Sequence, residues 1–155
     1  MQPFVQKKSS ASQRKNENKI MDNPSGFQLL EHTHTIRVRY LETDAQGHVH
    51  HTAFINYFEI GRLEMLRAAG HSFHQLAEEG LLLVVSEVHC QLFLPALFDD
   101  LLKIRTHVLR SKGVRIKHEY EITRGEALVA TGWSIVASVG KDGKVRRLPN
   151  WLKLG

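Results

Sequence analysis

The 155 residues contain a single cysteine, Cys90. This excludes an internal disulfide framework and any zinc site built on a cysteine cluster, and it fits a reducing, cytoplasmic setting. No stretch approaches the roughly 18 consecutive apolar residues of a membrane-spanning helix, so no membrane insertion is expected. The N-terminus also lacks a secretory apolar core. Acidic residues are the minority, 16 against 21 Lys and Arg, for a net charge of +5. Location matters more than the total. Residues 1–30 hold Lys7, Lys8, Arg14, Lys15 and Lys19 against Glu17 and Asp22, so +3 of the charge is there. The remaining +2 cannot build the clustered patch that neutralises many phosphates. No nucleic-acid partner is expected.

What is present suits one domain, with 42% hydrophobic residues to fill its core. Gln6 to Gly26 is rich in Lys, Ser, Asn and Gln. Such a segment buries too little surface to offset its ordering entropy. Residues 1–31 therefore read as a disordered basic tail and residues 32–155 as the folded domain. The tail is Ser-rich and basic, yet Glu17 and Asp22 argue against a transit peptide, and Met21 is an alternative start.

From Thr35 onward, Ile36, Val38 and Tyr40 alternate with Arg37 and Arg39, as in a half-buried strand. A polar loop, Glu42 to His51, precedes a predicted helix from Thr52, its N-cap, to Ala69, with Gly70 as the stop. Apolar residues cover most of that helix, which marks it as a core helix gripped by something large. Ser72 to Glu79 allows a short second helix. Four strand-like runs follow: Leu81–Leu94, Leu101–Arg110, Val114–Thr123 and Leu128–Val139. Glycine-containing turns at residues 111–113, 124–126 and 141–143 join or flank the last of these. Turns this short require antiparallel pairing. The expected class is α+β: one long core helix wrapped by an antiparallel sheet of about five strands.

The loop before the core helix concentrates ionisable groups. A helix N-terminus presents unpaired N–H groups and about half a positive charge, which suits a developing oxyanion. Asp44 is a carboxylate in reach of that point, able to attack a carbonyl or activate water. Gly47 permits a tight turn towards a substrate. Taken alone, Asp44 reads more readily as a turn or capping residue. His48, His50 and His51 lack the spacing of a metal site, and no metal or other cofactor is expected.

Tyr40-x-x-Thr43-Asp44-Ala45-x-Gly47-x-Val49-x-His51, then Phe54-x-x-Tyr57-Phe58-Glu59 and Glu64-Met65-Leu66-Arg67, resembles the 4-hydroxybenzoyl-CoA thioesterase-like branch of the hotdog superfamily. The pattern is nearest to the Tol–Pal-associated acyl-CoA thioesterases. Pro95-Ala96-x-x-Asp99-Asp100 matches a second element of that group, and the likeness runs from about Ile36 to Val139. The resemblance implies a hotdog fold and hydrolysis of an acyl-CoA thioester without a cofactor. It implies Asp44 as nucleophile or general base, and the His51 backbone N–H as the group polarising the thioester carbonyl. Where relatives carry Tyr-His, this chain has His50-His51, so no phenol is available there. It further implies Arg110, Lys112 and Arg115 near the CoA phosphates, and a homodimer or homotetramer with the substrate groove between subunits.

Other residues have competing readings. Glu59 on the core helix is a secondary candidate for the catalytic acid, with a salt bridge to Arg62 as the plain alternative. Glu64 with Arg67 reads as a surface pair. Glu87 and His89 share a strand face and are expected to line the acyl pocket, with pairing to each other's neighbours as the alternative. Cys90, Trp133 and Trp151 read as packing. Two other functions compete with hydrolysis: an enoyl-thioester hydratase or dehydratase on the same fold, and a non-catalytic acyl-CoA-binding module. The chain lacks the His-Phe-Pro-Gly and Asn-Pro-x-His elements of the former.

Overall fold

A computed structural model describes residues 30–154. Its strands are β1 (Glu31–Arg37), β2 (Leu81–Leu92), β3 (Leu101–Lys112), β4 (Arg115–Arg124) and β5 (Ala127–Gly140). They form one sheet in the order β1-β3-β4-β5-β2, with every pairing antiparallel. Helix α1 (His51–Ala68) crosses one face, and the short α2 (Phe73–Glu78) follows it. The expected α+β arrangement of one helix on five antiparallel strands is what forms.

Alternation along the strands decides which face the helix covers. Leu102, Ile104, Thr106 and Val108 of β3, and Ile116, His118, Tyr120 and Ile122 of β4, are buried under α1. Their odd-numbered neighbours lie on the opposite, outer face. The N-terminal half of α1 packs Phe54, Tyr57 and Phe58 into one apolar cluster, and its C-terminal half packs Met65 and Leu66 into another. Two glycines permit the close approach. A Cβ on Gly61 would collide with Thr106 Oγ1, and one on Gly132 would sit 2.5 Å from the Phe58 ring and from the His89 carbonyl.

Three differences from the sequence reading have physical causes. The first strand begins at Glu31, not near Thr35, because backbone pairing with β3 holds its polar Thr and His residues in register. Tyr40 leaves that strand. It opens a 3-10 turn, Tyr40–Glu42, closed by the Arg39 N–H donating to Glu42, and it is exposed. Helix α1 buries only one side against the described residues, since Ile55 and Glu59 are exposed. The tail expected over residues 1–31 lies outside the described residues except for 30 and 31.

Candidate active site

The Asp44 loop is held by its own main chain. The Asp44 N–H donates to the His48 carbonyl at 2.8 Å, and the Gly47 N–H donates back to the Asp44 carbonyl at 3.0 Å. Gly47 sits at φ 80°, where a side chain would be strained. Asp44 Oδ1 accepts from the Gln46 N–H at 2.8 Å and from the His48 N–H at 3.2 Å. Its Oδ2 accepts no protein hydrogen bond among the described residues. The turn reading of Asp44 holds for one oxygen, which builds the loop, and the other oxygen is left over.

Two contacts fasten this loop to the fold. The Val49 N–H donates to the Ala96 carbonyl at 2.8 Å, and His48 pairs with Leu97 in an isolated antiparallel bridge. The Pro95–Asp100 element is thereby explained. Asp100 Oδ2 accepts from the Leu97 N–H at 2.9 Å and from the Arg124 guanidinium at 2.7 Å, and Arg124 also donates to the Pro95 carbonyl. Desolvation works to raise the Asp100 pKa, but those donors outweigh it and hold the carboxyl below its ordinary value.

Glu42 was not singled out by the sequence, yet it ties the loop to the helix. Its carboxylate accepts from the Arg39 N–H and guanidinium and from the Tyr57 hydroxyl. Its carbonyl accepts from the His50 N–H at 2.8 Å. Burial would raise the Glu42 pKa, and these donors lower it instead. The Tyr57 phenol is pushed up, first by burial and then by its bond to Glu42.

Helix α1 opens at His51, one residue before the predicted start. Its N-cap is His50, not Thr52, with His50 Nδ1 accepting from the Thr52 N–H. The Ala53 N–H donates to the His50 carbonyl. The His51 N–H finds no acceptor among the described residues, so it is the donor that the open helix end offers. The His50 and His51 rings lie against each other, centroids 4.2 Å apart.

The remaining predicted residues divide. Arg110, Lys112 and Arg115 do gather in one depression, joined by Lys117 and Arg147. Arg147 is brought there by the C-terminal segment, whose Leu148 N–H donates to the Gly113 carbonyl. This basic depression stands at the opposite end of β3 from the Pro95–Asp100 element that holds the Asp44 loop, a strand of 12 residues or roughly 35 Å of extended chain. Glu87 and His89 do not line a pocket beside α1. They register with Ile135 and Trp133, and Trp133 is next to Ser134, which faces α1. Both therefore lie on the outer face, where the His89 ring is parallel to Trp133. The bulge between Val85 and Glu87 sets this phase.

Glu59 is exposed and makes no ion pair with Arg62. Arg62 turns inward instead, donating to the Tyr120 hydroxyl at 2.8 Å and to Ser134 Oγ at 3.4 Å. Glu64 and Arg67 do pair. Cys90 packs against the core, and burial pushes its thiol up. Trp133 lies under Lys117 on the outer face, while Trp151 packs against the second cluster. Among the described residues no three His, Cys, Asp or Glu side chains gather to hold a metal, and no helix is long and apolar enough to cross a membrane.

Comparison with known proteins gives a consistent picture. Residues 38–154 match the model of the thioesterase-like superfamily. The chain is 34% identical over 105 residues to an acyl-CoA thioesterase, YbgC, of Haemophilus influenzae, which covers 67% of this chain and 77% of that protein. It is 30% identical over 113 residues to a putative esterase of Aquifex aeolicus, covering 73% and 88%. Among solved structures, a probable thioesterase from Bartonella henselae superposes with a TM-score of 0.74 at 36% identity, over 77% of this chain and 99% of that one.

Proposed function

The chain belongs to the thioesterase-like superfamily and has its hotdog fold, and from that premise we propose that it hydrolyses an acyl-CoA thioester to the free acid and CoA, with Asp44 as the reacting carboxylate. The observation that carries this reading is the division of labour within Asp44. Oδ1 is anchored by two backbone N–H groups, and Oδ2 is unengaged on the loop that leads into the open start of α1. A carboxylate fixed through one oxygen keeps its other oxygen aimed without further ordering cost.

The substrate carbonyl oxygen lies against the His51 N–H, which stabilises negative charge as the tetrahedral centre forms. In the general-base route Asp44 takes a proton from water as that water attacks the carbonyl. In the nucleophilic route the carboxylate itself forms a mixed anhydride, which water then cleaves. In both, the C–S bond breaks and CoA leaves as a thiolate. Neither route needs a metal or redox group.

A second subunit completes this reading. Edge strand β2 exposes Leu82, Val84, Val85, Val88 and Leu92, an uncommon run for an unprotected edge. Antiparallel pairing of two β2 edges joins the sheets about a two-fold axis. It brings each subunit's basic depression, with Arg110, Lys112 and Arg115, towards the other's Asp44 loop. CoA phosphates bound by one subunit then present the thioester to its partner, with Gly47 and His50 on the loop beside it. A cytoplasmic setting belongs to the same reading and agrees with the lone thiol of Cys90.

The test is release of free thiol from a panel of short, long and aromatic acyl-CoA. Turnover with at least one member supports hydrolysis. Water addition to crotonyl-CoA without thiol release would replace it with a hydratase, and binding without any reaction would leave an acyl-CoA-binding module.

A further inference from the structure

We propose that Arg62 and His118 form a receptor for a terminal carboxylate, so that the acyl groups this protein prefers are those of dicarboxylic acids esterified at one end to CoA. This rests on the thioesterase reading above and narrows it to a substrate class.

Among the described residues Arg62 is a cation without an acid. Its guanidinium reaches under α1, lies 6.0 Å from the centroid of the Tyr120 ring, and donates only to the neutral hydroxyls of Tyr120 and Ser134, both through Nη1. Glu59, one turn earlier, is exposed and stays apart. A guanidinium carries five N–H donors, and those on Nη2 and Nε donate to no protein group among the described residues. A partly buried charge in this state is costly unless an anion meets it. The unused edge has the fork geometry that binds a carboxylate through both oxygens.

His118 supplies a second, independent signal. It is 7% exposed, and its Nδ1 is buried with no hydrogen-bond partner. Burial, with Arg62 adding to it, holds the ring neutral, so it offers one N–H donor without competing for the anion. Arg62 and His118 both line a cavity of about 30 Å³ whose other walls include Met65, Leu66, Phe73 and Val136. That is room for two water-sized groups at roughly 10–15 Å³ each, as the two oxygens of a carboxylate require.

The route from the thioester to this cavity follows α1. His51, Ile55, Glu59 and Arg62 fall on one stripe of the helix, and Ile55 and Glu59 are exposed along it. Opposite runs the inner face of β2. Val88 registers with Ser134, the residue that meets Arg62, and Val85, Val88 and Leu92 are all more than 40% exposed. Apolar floor and open helix stripe suit a methylene chain. The eleven residues from His51 to Arg62 rise roughly 16 Å, and the arginine side chain leans back towards the N-terminus, so a chain of medium length spans the gap.

The experiment compares kcat/KM for suberyl-CoA and sebacyl-CoA with that for octanoyl-CoA and decanoyl-CoA, by thiol release. The wild-type protein should favour the carboxylate-ended member of each pair by roughly tenfold or more. Arg62→Met should bring the ratio to about one. Arg62→Lys, which keeps the charge but not the fork, should fall between and serves if the methionine variant does not fold. Equal or faster hydrolysis of the methyl-ended thioesters by the wild-type protein would overturn the receptor while leaving the thioesterase reading intact. So would a ratio that neither Arg62 variant changes. Failure to release thiol from any acyl-CoA would instead remove the reading on which it stands.

Discussion

The Tyr57 hydroxyl donates to Glu42 Oε2 at 2.9 Å, joining the middle of the core helix to the residue two positions before Asp44. Tyr57→Phe fills the same space but removes the donor. With Glu42 left to Arg39, stability should fall by about 1–2 kcal/mol in urea unfolding. The Asp44 loop should also loosen, so kcat should drop more than KM changes. A lower stability with unchanged kcat would show that the tie serves the fold alone.

Gly61→Ala tests how closely helix and sheet approach. The added methyl meets Thr106 Oγ1 and the Ile104 side chain at the most buried part of β3. A loss of about 1–3 kcal/mol is expected, as for other overpacked cores. The same substitution at Gly70, where a Cβ meets nothing, should strain only the positive φ of a helix end.

Acid should unfold the protein earlier than its carboxylates alone would require. The pKa of His118 is lowered from 6.5 to about 3 by burial and by the Arg62 guanidinium. In that window the unfolded chain binds a proton that the folded chain refuses. Stability is therefore full above pH 6.5 and falls as pH drops towards 3, by on the order of a few kcal/mol in total. His32, also lowered by burial, adds in the same direction, whereas Glu42 and Asp100 contribute only at carboxylate pH. His118→Phe should flatten the upper part of this slope in urea unfolding measured across pH.

The architecture was legible because its signals are local. Alternation in Val114–Thr123, glycines at the turns and the apolar length of the core helix each fixed an element to within a residue or two. The site was legible only in part. Asp44 and the start of α1 at His51 lie seven residues apart in one continuous segment, so their order could be read along the chain. Glu87 and His89 were misplaced because a bulge at Ser86 reverses the strand's phase, and no residue type announces it. Helical spacing offers Glu59 as a partner for Arg62, but burial beside Tyr120 and Ser134 is what decides its contacts. Lys117 and Arg147 were missed as members of the basic depression because a distant C-terminal segment completes it.

Subunit mixing tests the placement of the basic depression. Neither Asp44→Asn nor a double variant Lys112→Glu, Arg115→Glu should be active alone. Mixed dimers of the two contain one site with both defects and one with neither. Thiol release should therefore recover on mixing, to about half the wild-type rate per mixed dimer, an expectation that follows from two-fold symmetry. No recovery would place the depression outside the partner's site.

The most direct measurement is the rate of acyl-CoA hydrolysis by Asp44→Asn. Asparagine keeps the oxygen that accepts from Gln46 and His48 and removes only the charge, so unfolding should be little changed. The rate should fall about 10²-fold or more. A variant that folds normally and hydrolyses its best acyl-CoA at the wild-type rate would contradict the central role of this carboxylate.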